Sequence, residues 1–395
     1  MRLGPCVTLA LLLAACDRSA PPVAAAPVRD SAGVRIVESV APAWGARTGW
    51  RVMARAELEV GGVAGDSARD FAGIRTALRF PDGRFLVTDG ATDQIRLFDG
   101  SGAHLRTFGG HGNGESQFVA LGPVFLRGDT IVAWDDRRQR IVGFLPDGRF
   151  LGSVRALLPD TTRLGRPVGI FPDGAMLVAV PTPVDLALVT SPVVRVPADL
   201  IRLERGATTL VSIKSDEIVV RRSKATMTAM MRPFGVSSRA AVVGDEFVVG
   251  EGEASSFRRY AEDGRLLQLF RRPAVRLPLV PDDTAREHGL RAGAARTARE
   301  RESIDATWRD LPFPDSLPAH GEILADPSGA VWVREIRHAA DSASSYQVYA
   351  KDGTWLGPVL LPPRTALLGV GEDVVLLRRT DENAVEYVAV HRLRR

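Results

Sequence analysis

The chain has 395 residues, 45% hydrophobic and 25% charged, and its mean hydropathy is +0.00. That balance excludes a disordered chain. A formal charge of +4 with no concentrated basic stripe argues against nucleic acid as a partner. Lysine occurs only at Lys214, Lys224 and Lys351, so nearly all positive charge is arginine, a bias that fits genome composition better than a designed anion site. The length suits two or three domains, or one large domain built from repeats.

Met1 and Arg2 precede an apolar run from Val7 to Leu13, too short to span a bilayer and ended by small residues, as in a secretory signal. The end of this run, Leu13-Ala14-Ala15-Cys16, resembles the lipobox of bacterial lipoproteins. The resemblance implies cleavage after residue 15, a diacylglycerol on the Cys16 thiol and an acylated new amino terminus. Two or more chains suffice for stable anchoring. An ordinary signal peptide with a chance cysteine is the alternative. The only other cysteine, Cys6, lies inside the segment that would be removed, so the mature chain forms no internal disulfide. Asp17 resembles an inner-membrane retention signal of enteric bacteria. Residues 16–32, rich in Pro and Ala, read as a flexible tether.

Residues 33–395 read as repeats. RFPDGRFLVTD, LRGDTIVAWDD, IFPDGAMLVAV, VVGDEFVVGE, ADPSGAVWVRE and GVGEDVVLLRR each place a polar Gly/Asp turn before four to six apolar residues. A second turn follows, and the intervals Gly83–Gly102, Gly128–Gly148 and Gly244–Gly264 are 19, 20 and 20 residues. Short strands punctuated this way predict antiparallel sheet, and a period in the forties with four strands per unit predicts propeller blades. One unit cannot bury its own apolar face, so neighbours must stack. Six units fall at 73–118, 119–162, 165–213, 235–272, 320–361 and 364–393, although the wider spacing around units three and four also fits a seventh. Unit six lacks a strand. Either Gly33–Val37 or Trp50–Val60 would supply it and tie the ends together.

The stretch ATDQIRLFDGSGAHLRTFGGHGNGESQF, residues 91–118, resembles an NHL repeat. With the lipobox, the whole plan is similar to the six-bladed β-propeller lipoproteins of bacterial envelopes. The resemblance implies an all-β scaffold facing the periplasm, on the inner or the outer membrane, and no single activity.

Asp282 to Asp310 breaks the pattern. Its Ala, Arg and Glu content predicts a helical insertion between blades four and five, with a narrow apolar side of Leu290, Ala294, Ala298, Ile304 and Trp308, weakened by Gly289 and Gly293. Such an insertion lies on one face, as a docking element or as decoration.

Catalytic chemistry is sparse. Asp89, Asp135, Glu251 and Glu335 recur after their turn glycines, and acids repeated in most blades read as architecture rather than as a metal or acid–base site. The loop Gly109–Glu115 lacks the Lys-Ser/Thr of a phosphate loop and leads into a strand segment at 116–118, not a helix. His104, His111, His288, His320, His338 and His391 show no ligand spacing. No GxSxG elbow occurs. Gluconolactonase-type propellers hold calcium with a Glu/Asn/Asn/Asp set, whereas this chain has only Asn113 and Asn383, and no quinone-dehydrogenase motif is present. The arginine pairs 137–138, 221–222, 258–259, 271–272 and 378–379 read as solvated strand edges, and Met227, Met230 and Met231 as core or rim packing. The chain is therefore expected to be a binding scaffold without catalytic residues, metal or cofactor. Its contact surface would be the face with the insertions near 180–195 and 275–320, and its partner an unknown envelope protein or carbohydrate. The alternative is a hydrolase or lyase acting on a carbohydrate or lactone in the axial channel.

Overall fold

The structure, a computed structural model, describes residues 27–45, 49–62, 65–158, 160, 163–204, 206–222, 226–274, 276–341 and 343–395. The proposed lipidation site Cys16 and most of the tether lie outside the described residues. No helix among the described residues is long and apolar enough to cross a membrane.

The repeated turns set the plan. In Pro81-Asp82-Gly83 the glycine takes φ +91°, a conformation that costs a side-chain residue dearly, and its N–H donates to the Phe80 carbonyl (3.0 Å). The Asp82 carboxylate accepts the N–H two residues on (3.0 Å), which closes the turn. The same aspartate bond recurs at Asp147, Asp173, Asp263 and Asp352. Each turn joins the first two strands of a sheet or its last two.

Six sheets result among the described residues. Sheet 1 runs Ile74–Arg79, Phe85–Asp89, Gln94–Phe98 and His104–Gly109. Sheet 2 spans 121–155, sheet 3 166–231, sheet 4 239–271, sheet 5 323–360 and sheet 6 365–394. Each is antiparallel in chain order, apart from added edge strands. The first strand of each sheet lies beside the first strand of the next, and that of sheet 6 beside that of sheet 1.

Apolar alternation explains the stacking. In Phe85–Asp89 every residue is buried: Phe85 and Val87 turn toward sheet 6, and Leu86 toward sheet 2. A strand covered on both faces reads as a continuous apolar run. Six core clusters follow, one for each adjacent pair of sheets, including Val388 and Val390 of sheet 6 against Ile74 and Phe98 of sheet 1. This all-β arrangement is consistent with the expected propeller.

The two upstream segments divide their roles. Arg51–Gly61 is the fourth strand of sheet 6, paired antiparallel with Glu386–Arg394. Val34–Glu38 instead extends sheet 4, parallel to Leu266–Arg271, and Val28–Ser31 pairs with it in turn. Residues 28–31 are thus strand rather than tether. Sheet 3 reaches further than unit three was drawn, because Ala207–Arg222 is long and Met227–Met231 adds a fifth strand. Met227 and Met231 are exposed on that edge, hence rim and not core.

The insertion is two helices, α1 (Pro281–Gly293) and α2 (Ala298–Arg309). Thr297 restarts the second: its hydroxyl accepts the Glu300 N–H while the Glu300 carboxylate accepts the Thr297 N–H. The anticipated apolar side is broken, since Leu290 is 65% exposed while Trp308 packs on His288 and Phe313.

Candidate functional site

The recurrent acids are spent on the fold. Asp89 is fully buried, accepts the Ala91 N–H (3.0 Å) and pairs with the equally buried Arg96 (3.0 Å). Arg96 also donates to the Asp70 carbonyl and stacks on Phe71. Asp135 accepts backbone N–H groups from Val119, Ala120, Arg137 and Arg138, and meets Arg140 at 3.5 Å. Glu251 pairs with Arg258 (3.1 Å) and Glu335 with Arg272 (3.8 Å). Asp89 and Asp135 close the loop at the end of their own second strand, whereas Glu251 and Glu335 stand at the same place and pair with arginines. Among the described residues, no group of three or more His, Cys, Asp or Glu side chains is placed to hold a metal ion.

The histidines are dispersed. His104 meets Thr107, His111 meets Asp93, His288 meets Asp305, and His391 donates to the Met53 carbonyl. His338 contacts Asp283 at 2.9 Å. Buried His320 joins two sheets: its Nδ1–H donates to the Gly321 carbonyl (2.9 Å), and Nε2 accepts the Gly252 N–H (2.9 Å). Acceptance at Nε2 requires the neutral ring, whereas the Nδ1–H bond is compatible with either form. Burial holds its pKa below the ordinary 6.5, the Gly321 bond opposes that, and the Arg239 charge adds to the lowering.

The glycine-rich loop crosses from sheet 1 to sheet 2, with a single bridge between His111 and Phe118, and the next strand opens only at Leu121. Most paired arginines are engaged: Arg221 with Asp310, Arg259 with Glu246, Arg271 with Glu38, Arg378 with Glu386 and Arg379 with Glu59.

A different cluster appears where the six first strands converge. Their later halves wall a cavity of about 450 Å3, to which Ala77, Leu126, Val168, Val242, Leu324 and Leu368 each contribute from a different sheet. Arginines stand at the start of three of these strands, Arg166 and Arg239 as the first residue and Arg75 as the second, all three exposed. Sheet 2 has Gly122 there instead, and the Asp136 carboxylate lies over it, so near that a Cβ at 122 would stand 2.6 Å from Oδ1. Arg75 reaches across from sheet 1 to donate to the Leu121 carbonyl (2.7 Å). Asp136 thus sits in the fields of Arg75, Arg166 and Arg137. Burial nevertheless raises its pKa above the ordinary value, against Arg75 and Arg166, with Asp135 adding to the rise and Arg137 opposing it. This grouping escaped the sequence reading, which assigned the arginines to composition.

The insertion stands at the same end of the first strands. Asp283 of α1 accepts the Ala339 N–H (2.7 Å) just beyond the second strand of sheet 5. Arg221 reaches the Thr307 carbonyl, Arg232 the Pro312 carbonyl (2.8 Å), and Phe234 faces Phe313. The extended hairpin of sheet 3 and the helical insertion are therefore braced together.

No protein-family model matches the chain, and no curated protein matches it. Among solved structures it is similar to a member of the DUF4221 family from Bacteroides vulgatus, with 10% identity over 87% of this chain and 98% of that one, at a TM-score of 0.48. It is also similar to virginiamycin B lyase from Staphylococcus aureus (9% identity, 87% and 99% covered, TM-score 0.40). A third is the calcium-binding protein regucalcin from Agrobacterium tumefaciens (9% identity, 87% and 95% covered, TM-score 0.39). At such identities and TM-scores these likenesses carry no argument about activity or ligand.

Two outcomes are expected. Asp89→Ala strands Arg96 in the core and lowers the unfolding free energy by about 3–5 kcal/mol, whereas Glu335→Ala at a half-exposed pair costs about 1 kcal/mol or less, as read by urea denaturation. A group with a depressed basic pKa binds more protons when unfolded, so the His320 contribution is complete above pH 6.5 and is lost as the pH falls below it. The melting midpoint should therefore decline below that pH, and less steeply in His320→Gln.

Proposed function

We propose that the six sheets are the blades of a closed six-bladed propeller, NHL-like in its repeats, and that the protein is a lipoprotein of the bacterial envelope. In this reading Cys16 carries the lipid, and the folded body stands in the periplasm as a binding scaffold. The observation that carries the binding role is the brace between two segments far apart in sequence. The sheet 3 hairpin and the 281–313 segment are tied by Arg221, Arg232 and the Phe234–Phe313 contact at the end where the first strands begin. Decorative insertions have no need to be fixed to each other. A platform presented to a partner does, because rigid elements lose less entropy on association. Leu290 projects from that platform with two thirds of its surface open.

The test uses the full-length chain in bacterial cells, with a photo-crosslinking residue at position 290 or, as a control, at Leu151 on the outer strand of sheet 2. A discrete adduct at 290, absent at 151 and lost in Arg221→Ala, is the expected result. Equal adducts at both positions, or none at 290, would overturn the scaffold reading. In the same cells, labelled palmitate should enter the wild-type chain and not Cys16→Ala, with the wild type in the membrane fraction.

A further inference from the structure

We propose that the cavity walled by the first strands, with the arginines beyond one end of it, binds an amphipathic anion: an oxyanion head between Arg75 and Arg166, and an apolar body along the cavity. The inference stands apart from the platform, since it concerns a small molecule and residues that the platform does not use.

Charge makes the first part of the argument. Asp136 is the acid held over Gly122, and Asp135 behind it is already committed to backbone N–H groups and Arg140. Three guanidiniums, Arg75, Arg137 and Arg166, surround that one half-buried carboxylate. The Arg166 side chain donates no hydrogen bond and joins no ion pair within 4.0 Å among the described residues. An arginine fork offers paired N–H donors to a carboxylate or phosphate, and the exposed Arg75 and Arg166 side chains are open to receive one.

Shape makes the second. Beyond the arginines the first strands continue as Ala77-Leu78, Val168-Gly169-Ile170 and Ala241-Val242, with Leu324 of sheet 5 alongside, so the wall turns apolar within two to four residues and stays so until Arg79 at the turn end. At a rise of roughly 3.3 Å per residue, the charged end and the apolar wall are about 7–13 Å apart. A volume of about 450 Å3 falls within the range of small-molecule pockets, roughly 300–1,000 Å3. A fully polar anion would leave this wall unused, and a neutral apolar ligand would leave Arg166 unused.

Asp136 gives the proposal a distinguishing sign. Its carboxylate competes with the ligand for the same guanidiniums, so removing its charge should strengthen binding, while removing Arg166 should weaken it.

Isothermal titration is carried out on the full-length chain bearing Cys16→Ser, which keeps the lipid off, with decanoate, decyl phosphate, decanol and inorganic phosphate. Decanoate or decyl phosphate should bind one to one, and the tighter of the two tells a carboxylate source from a phosphoryl source. Decanol and inorganic phosphate should each bind about tenfold more weakly or worse, the worth of one charged hydrogen bond. Arg166→Gln, expected to melt like the parent because it breaks no bond, should weaken the better amphiphile about tenfold. Asp136→Asn should tighten it, and it keeps the test decisive if Arg166→Gln fails to fold. Failure of both amphiphiles to bind, decanol binding as well as decanoate, or variants that leave affinity unchanged would overturn the proposal.

Discussion

Every sheet here is apolar on both faces, and that constraint governs the rest. A sheet of this kind is stable only between two others, so a row of six leaves two costly apolar faces unless the last meets the first. The strand Arg51–Gly61 arranges the meeting. Its Val60 lies in the same core as Phe98 and Val388, and it pairs with the end of the chain through Tyr387, Val388, Ala389 and Val390. Residues more than three hundred positions apart in sequence are thereby held in one ladder, and Arg379 adds a two-pronged contact to Glu59 (2.6 and 2.7 Å). The ordering cost of such a distant pairing is met by burial on both sides of sheet 6 rather than by the hydrogen bonds alone.

What could be read from the sequence follows the same physics. Turn chemistry and doubly buried runs are local, so the six units and the helical character of 282–310 were visible in the order of residues. The extension of sheet 4 by Val34–Glu38 was not. A parallel pairing at an outer edge has no turn to announce it, and Gly33–Val37 carries the same apolar alternation whichever sheet accepts it. Met227–Met231 is not announced as a strand because it lies exposed along an edge, and its Met-Thr-Ala-Met-Met sequence has neither β-branched enrichment nor a turn glycine before it. The break between α1 and α2 was legible in principle, since Thr297 and Glu300 stand at capping-box spacing.

The candidate site was the least legible part. Asp89 and Asp135 attracted notice because they recur, and recurrence marks what every sheet needs. The cluster around Asp136 draws single residues from three sheets, and it exists only because Gly122 vacates the place that Arg75 and Arg166 occupy in their own strands. Its sequence signal was an exception within a repeat: a glycine where two neighbouring units carry arginine.

The two ends of the first strands hold their arginines in different ways. At the turn end some of the aspartates that close the hairpins also hold arginines, Arg84 on Asp82 at 2.7 Å and Arg149 on Asp147 at 2.6 Å. The Arg84 bond holds the Asp82 carboxyl below its ordinary range, and backbone N–H donation with Arg149 does the same for Asp147. These pairs are exposed and add little stability, but they neutralise that face. At the opposite end Asp381 closes the hairpin between the second and third strands of sheet 6, accepting the Asn383 and Val385 N–H groups (2.9 Å each), and Asp89 and Asp135 are taken up by loop N–H groups. Arginines that open the first strands there must find other partners. Arg239 takes Asp216 from the long hairpin of sheet 3 and Arg75 takes a carbonyl, which leaves Arg166 beside a carboxylate that burial already disfavours. The positive charge of the site is thus local: Gly122 leaves room for one carboxylate, Asp136, among the arginines at the start of the neighbouring first strands.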